Sequence, residues 1–186
     1  MIGYAFCGSF CTLGDSYREF ERICRSGADV LPIMSENVYN TDTRFQDREE
    51  FIARVEKTAN RKIIHTIKDA EPLGHSMRLE YLIISPCTGN TLAKMANGIT
   101  DTAVTMAAKA HLRCDGRLLI ALASNDALST NLKNISALLL RKSVYMLPMC
   151  QDNPTGKPHS LVSDFSLLNK AFDAMKKGEQ LRPLFI

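Results

Sequence analysis

YLIISPCTGNTLAKMAN, residues 81–97, contains the transition that decides the fold. Its first residues form an apolar run with no polar alternation, which is typical of a central strand in a parallel sheet. Small hydrogen-bonding residues end this run, and from Leu92 onward the apolar residues recur at helical spacing. The stretch therefore predicts a buried strand that passes through a short polar turn directly into a helix.

The same transition recurs along the whole chain. Strands are predicted over 2–7, 28–34, 78–85, 117–123 and 144–147, and helices over 15–25, 47–60, 88–97, 101–111, 128–140 and 163–177. This alternation predicts an α/β fold with three layers, a parallel sheet and helices on both of its faces. The length favours one domain over residues 1–186. Pro32 predicts an edge position for the second strand, because proline has no N–H for a sheet ladder.

Composition limits the classes of function. The chain has 186 residues, 45% of them hydrophobic and 23% charged, which is ordinary for a soluble globular protein. A net charge of +3, without clusters of Lys and Arg, gives no reason to expect a nucleic-acid partner. No apolar stretch is long enough to span a bilayer, and the N-terminus lacks the features of a signal peptide. The expected location is therefore the cytoplasm, without a membrane partner.

The cysteines do not predict a metal centre. The chain contains six of them but no CxxC pair and no His or Cys pair at ligand spacing, so no metal is expected. In a cytosolic protein they are expected to be reduced. Cys87 is a weak candidate for a catalytic thiol, because no histidine nearby in the sequence would activate it.

Polar residues follow each of the first four predicted strands. Because the carboxyl ends of parallel strands meet at one edge of a sheet, these turns should converge on a single pocket. Hydroxyl groups and helix N-termini favour a phosphorylated ligand there. Each turn by itself is equally well explained as a strand-to-helix cap, and neither GxGxxG nor a Walker sequence is present. The converging residues are Gly8, Ser9, Ser35, Thr88, Asn90, Thr91 and Asn125.

Few charged or titratable residues stand out near these turns. Arg44, in the polar stretch NTDTRF, could pair with a substrate carboxylate or equally well form a surface or subunit contact. His65 and His75 flank the segment before the third strand, and either could reach the pocket. His111 falls at a helix end, and His159 falls in a Pro- and Gly-rich loop where we expect it to be exposed.

Several stretches resemble a known family. PCTGNT at 86–91, followed by LAKMANGITD, resembles the PASANT motif of the homo-oligomeric flavin-containing Cys decarboxylases, and the turn at Gly8 resembles their first flavin motif. The stretches AEPLG, SNDAL and QDNPTGKPHSLV are similar to those of one branch, the dipicolinate synthase B subunits. The resemblance implies a flavodoxin-like, Rossmann-type fold, an FMN site and a homo-oligomer built from trimers. Carried over residue by residue, the FMN contacts would be Gly8, Ser9, Ser35, Thr88, Asn90 and Thr91.

The resemblance also implies an activity. It predicts one subunit of an oxidoreductase that forms pyridine-2,6-dicarboxylate from a dihydrodipicolinate-level intermediate in the mother cell of a sporulating bacterium. The partner would be an A subunit that uses NADP. The dicarboxylate substrate calls for positive charge and hydrogen bonds, for which Arg44, Lys109 and Asn125 are the candidates. Asn90, Asn125 and His75 are the candidates for catalysis.

One departure from the family pattern bears on the chemistry. The decarboxylases carry a catalytic histidine before the PASANT motif, and the aligned position here is close to Pro72, with His75 displaced by three residues. This departure argues against decarboxylation of a peptidyl cysteine. The alternatives are an FMN-dependent decarboxylase of the same fold, a flavin prenyltransferase, for which no arginine cluster is visible, and a flavin-free, non-catalytic partner subunit.

Overall fold

The structure, a computed structural model, describes residues 1–74 and 76–186. Within them, the strands are β1 (Ile2–Phe6), β2 (Val30–Met34), β3 (Tyr81–Cys87), β4 (Arg117–Ser124), β5 (Val144–Met146), β6 (Met149–Cys150) and β7 (Leu161–Ser163). The helices are α1 (Leu13–Arg25), α2 (Glu36–Asn40), α3 (Arg48–Ala59), α4 (Ile67–Ala70), α5 (Gly89–Ala96), α6 (Ala103–Leu112), α7 (Leu132–Leu139) and α8 (Leu168–Lys176). Nowhere in these two ranges does a helix combine the length and the apolarity that crossing a membrane requires.

Five strands pair in parallel in the order β2-β1-β3-β4-β5. This is the flavodoxin-like order, with the switch point between β1 and β3. All five are strands that the sequence predicts, and the central position of β3 and the edge position of β2 are confirmed. At that edge, the carbonyl oxygen of Pro32 accepts the N–H of Ile64 at 3.0 Å, which forms a short bridge beyond the sheet.

Both faces of the sheet are covered, as predicted. Side chains of β1 alternate, so that Tyr4 and Phe6 pack against α1, α3 and α8, while Ala5 and Cys7 pack against the helices of the opposite layer. That opposite layer consists of α4, α5, α6 and α7. The α/β three-layer architecture with helices on both faces is therefore confirmed.

The region after β4 differs from the prediction. The helix predicted over 128–140 begins only at Leu132, and the helix predicted over 163–177 is preceded by β7 and begins at Leu168. β6 and β7 form an antiparallel addition that pairs with the end of β4 at Ala123 and Ser124. These two strands, of two and three residues, are too short for a periodic pattern, so only the pairing of β7 with β4 and of β6 with β7 defines them.

Candidate ligand-binding site

A cleft of about 1040 Å³ opens at the carboxyl ends of β1, β3 and β4. Its walls are the turn 8–12 after β1, the start of α5 at 88–90 and the end of β4 with its turn at 123–126. Arg44 and Phe45 close it on one side, and the β6–β7 loop closes it on the other. The volume is at the upper end of the range of about 300–1,000 Å³ that is usual for small-molecule sites.

The turn after β1 is held by its own hydroxyl groups. The Thr12 hydroxyl lies 2.9 Å from Ser9 Oγ and 3.0 Å from the Ser9 carbonyl oxygen, and the backbone N–H of Thr12 donates to the same carbonyl at 3.0 Å. A methyl group added at Gly8 would meet only ordinary contacts, the nearest at 3.5 Å. The turn therefore has a fixed shape and presents open backbone to the cleft.

The start of α5 presents a helix N-terminus to the cleft. Thr88 caps the helix, because its hydroxyl accepts the N–H of Thr91 at 3.2 Å, and the two hydroxyl groups lie 3.1 Å apart. First-turn N–H groups have no partner within the helix and carry the positive end of its dipole. Thr88 and Asn90 line the cleft, whereas Thr91 is buried beneath them and supports the cap.

A buried hydrogen-bond cluster fixes the end of β3 that precedes this helix. Ser16, on α1, donates to the carbonyl oxygen of Ser85 at 2.5 Å, and its hydroxyl lies 3.0 Å from that of Ser85. The Tyr4 hydroxyl donates to the Ser16 carbonyl oxygen at 2.9 Å. Because all three residues are buried, these bonds tie α1, β1 and β3 together directly below the cleft.

The turn after β4 contains a polar cluster centred on a carboxylate. Asp126 accepts from the Ser124 hydroxyl at 2.5 Å and from the Asn131 amide at 2.9 Å on both of its oxygens. The Asn134 amide in turn donates to the Asn131 oxygen at 2.8 Å. The hydrogen bond from Ser124, followed by those from Asn131, lowers the pKa of Asp126, so the group is ionised at neutral pH.

Gly89 makes room for this cluster. A methyl group at that position would lie 2.7 Å from Asn131 Nδ2 and 2.8 Å from Asp126 Oδ1, and closer still to Ser124 Oγ. The first residue of α5 therefore has to be glycine for the carboxylate to keep its place. Sequence reasoning selected Asn125, which is exposed on the same turn, and missed Asp126 and Asn131. The run of Ser124, Asn125 and Asp126 at the end of a strand is visible in the sequence and indicates a polar turn. The hydrogen bonds from Asn131 to Asp126 depend on the tertiary structure.

Two cations line the cleft. The Arg44 guanidinium lies 4.7 Å from the centre of the Phe45 ring and is in no ion pair among residues 1–74 and 76–186. Lys157, in the β6–β7 loop, pairs with Asp152 at 2.7 Å, and both side chains line the cleft. Arg44 is predicted from the sequence as a candidate, whereas Lys157 is not.

Several other candidates lie elsewhere. The structure does not bring Lys109 to the cleft, because this exposed residue on α6 lines a separate pocket of about 330 Å³. His65 stacks on Tyr39, with 3.6 Å between the ring centres, and does not line the cleft. Ser35 is buried next to the end of β1, where its N–H donates to the Phe6 carbonyl oxygen. His75 lies outside the described residues.

The thiol groups near the cleft are not poised for nucleophilic chemistry. Cys7 and Cys87 are both buried, and burial raises the pKa of Cys7 to about 11 and that of Cys87 well above its ordinary value. Both are therefore neutral thiols at physiological pH, and the thiolate is the reactive form. Cys11 is exposed at the cleft wall.

His111 has a structural role away from the cleft. It is buried, its Nε2 lies 2.9 Å from the Arg117 carbonyl oxygen, and its ring packs directly against Gly116. Burial lowers the pKa of His111, and the nearby positive charge of Arg78 lowers it further. The hydrogen bond to the Arg117 carbonyl oxygen acts in the opposite direction. The folded protein therefore holds the neutral ring.

This burial predicts a pH dependence of stability. The unfolded chain binds a proton at His111 near pH 6.5, and the folded chain binds it only at lower pH. The contribution of the neutral His111 ring to the free energy of unfolding is thus fully present above about pH 6.5, and it is lost as the pH falls toward the pKa of the folded state. We expect His111→Gln to reduce the decrease in unfolding free energy between pH 8 and pH 5, measured by urea denaturation. His159→Gln, at an exposed loop position, is the control, and equal pH dependence in both variants would contradict the assignment.

Comparisons with known proteins agree with this fold. The sequence profile described as Flavoprotein matches residues 16–164. The chain is 35% identical over 185 residues to the dipicolinate synthase B subunit of Bacillus subtilis strain 168, covering 100% of this chain and 92% of the relative. The crystal structure of the dipicolinate synthase B subunit from Bacillus halodurans C superposes with a TM-score of 0.91 at 36% identity, covering 100% and 95% of the two chains. A dodecameric FMN-dependent UbiX-like decarboxylase from Escherichia coli O157:H7 has the same fold, with a TM-score of 0.62 at 22% identity and 98% of each chain covered.

Proposed function

This chain belongs to the Flavoprotein family, within the group of the dipicolinate synthase B subunits, and from this premise we propose that it is one subunit of a dipicolinate-forming oxidoreductase. With an A subunit it would convert a dihydrodipicolinate-level intermediate into pyridine-2,6-dicarboxylate. The oxidation removes a hydride and a proton from the ring, and NADP bound by the A subunit would take the hydride. The observation that carries the proposal is the polar, cation-lined cleft in a chain that matches a B subunit over its full length. The proposed location is the cytoplasm of the mother cell during sporulation.

The cleft has features that fit FMN. Ser35 is not among the residues that line the cleft, but it lies beside the end of β1, is only 8% exposed, and its hydroxyl oxygen has no hydrogen-bond partner in the part of the chain described. A buried hydroxyl without a partner is costly, and a ligand phosphate oxygen would satisfy it. Gly8, Ser9 and the α5 N-terminus at Thr88 would complete the contacts to the phosphate. When bound, FMN would supply a carrier for two electrons between the ring and NADP.

The two cations suit a dicarboxylate. We propose that Arg44 and Lys157 pair with its two carboxylates and that Asn125 donates a hydrogen bond to one of them. Lys157 replaces Lys109 in this role, because only Lys157 lines the cleft. The binding of substrate would exchange the pairing of Lys157 with Asp152 for pairing with the ligand.

The homo-oligomer that the resemblance implies, built from trimers, remains part of the proposal, supported by the dodecameric relative.

Loss of either cation should reduce product formation. We expect Arg44→Ala and Lys157→Ala each to lower dipicolinate formation by the complex with the A subunit roughly tenfold or more, because a charged hydrogen bond contributes about 1.5–3 kcal/mol. The measurement is dipicolinate yield from purified complexes at subsaturating substrate. Lys109→Ala is the matched control, since it removes an exposed lysine outside the cleft. An equal loss in the control would contradict the assignment of Lys157.

Co-expression with the A subunit tests the function itself. We expect a stable complex, a higher dipicolinate yield than the A subunit gives alone, and the absorbance of bound FMN in the purified chain. A complex with full yield and no flavin would support the flavin-free alternative. Dipicolinate yield that is the same with and without this chain would overturn the proposed function.

A further inference from the structure

The Asp126 carboxylate is an unexpected group in a cleft for a dicarboxylate. Two carboxylates and two cations line this cleft among the residues described. Asp152 is paired with Lys157, whereas Asp126 contacts only the neutral donors Ser124 and Asn131. An ionised carboxylate that faces a dianion repels it unless the ligand brings a proton to that point. The ligand group that lies beside Asp126 is therefore expected to carry a proton that the carboxylate can accept in a hydrogen bond.

The carboxylate is held in place rather than free to turn away. Its three hydrogen bonds, from one hydroxyl and one amide, fix the plane of the group against Gly89 at the start of α5. Asn131 is itself buried and is oriented by its contact with Asn134. Asp126 is only partly buried and lines the cleft, so one further donor, from a ligand, can reach the carboxylate. A preset acceptor of this kind selects ligands that present N–H or O–H to it.

We propose that Asp126 accepts a hydrogen bond from a protonated ring nitrogen of a reduced-ring 2,6-dicarboxylate, the enamine or iminium form of the dihydro intermediate, and so discriminates against the aromatic product. This inference rests on the proposed function, because it assumes that Arg44 and Lys157 hold the two carboxylates. The ring nitrogen lies between the two carboxylates of such a molecule, so it would face the acceptor. Pyridine-2,6-dicarboxylate carries no proton on nitrogen at neutral pH and would place a lone pair against the carboxylate. Formation of the product would then weaken its own binding and favour release.

Two stable ligands test this. Piperidine-2,6-dicarboxylate carries protons on its ring nitrogen, and pyridine-2,6-dicarboxylate does not. We expect the full-length chain to bind the piperidine compound on the order of tenfold or more tightly by isothermal titration calorimetry, as a charge-assisted hydrogen bond implies. In Asp126→Asn this preference should fall to within about threefold, because the charge is lost. Asp173→Asn, an exposed carboxylate on α8, is the matched control and should keep the wild-type preference.

The Asp126→Asn variant keeps one oxygen that can accept from Ser124 and Asn131 and loses only the second bond from Asn131, so it is expected to fold. Asp126→Ala and Ser124→Ala extend the series, and both should reduce the preference. Equal binding of the two ligands by the wild-type chain, binding of neither, or an unchanged preference in Asp126→Asn would each overturn the inference. So would a loss of FMN affinity in that variant with the ligand preference intact, which would assign the carboxylate to the flavin. None of these results affects the dipicolinate yield test, which decides the proposed function separately.

Discussion

Replacing Phe6 by alanine should lower the free energy of unfolding by about 3–5 kcal/mol. Phe6 ends β1 and has no exposed surface, and its ring lies 5.4 Å from those of Phe20 and Phe51 and 5.0 Å from that of Tyr4. The substitution removes these contacts and leaves a cavity between the sheet and the helices α1 and α3, which can close only in part. Urea denaturation followed by circular dichroism measures the loss.

The same substitution at Phe45 is the control. That ring is 53% exposed and contacts mainly the Arg44 side chain, so Phe45→Ala should change the unfolding free energy by less than about 0.5 kcal/mol. Similar losses in the two variants would show that the Phe6 ring is not the packing centre of this layer.

Gly89→Ala should destabilise the protein by about 1–3 kcal/mol, as overpacking usually does. The new methyl group would need the space of Ser124 Oγ, Asn131 Nδ2 and Asp126 Oδ1. Side chains held by mutual hydrogen bonds cannot move apart without breaking those bonds, so the cluster would open. We therefore expect lower stability together with loss of ligand preference at Asp126, measured by denaturation and by the calorimetric titrations.

Gly14→Ala separates this steric effect from the general effect of replacing glycine. Gly14 lies in α1 with nothing within 4 Å of an added methyl group, and alanine is favoured over glycine in helices by about 0.5–1 kcal/mol. Its variant should be as stable as the wild type or slightly more stable. A Gly89→Ala variant that gains stability to the same degree would contradict the close packing of the cluster.

Most of the sheet could be predicted because its signals are local. The five parallel strands are apolar runs, most of which end in small polar residues, and the longer helices have a periodic apolar pattern. β6 and β7 could not be predicted, since β7 is defined by its pairing with β4 at Ala123 and Ser124, and β6 by its pairing with β7. The late start of α7 has a similar origin, because Asn131 and the turn before it are used to bind Asp126.

The sequence predicts many of the small polar residues that line the cleft, but of its four charged residues it predicts only Arg44. Glycine, serine and threonine at strand ends are visible in the sequence, and the structure places Gly8, Ser9, Thr88, Asn90 and Asn125 around one cleft. Which lysine joins them depends on how a distant loop folds back. Lys157 reaches the cleft because β7 returns antiparallel to β4, a pairing that no local pattern encodes.

The sequence by itself determined the order of strands and helices, the layers and the edge at which the cleft opens, because these follow from periodicity and from the geometry of parallel sheets. Only the tertiary structure decided which charges meet there. Asp126 acquires its fixed, ionised state from Ser124 and Asn131, and Gly89 owes its identity to that cluster. Such contacts join residues from different elements, and their energies depend on distances of a few ångströms that sequence spacing does not specify.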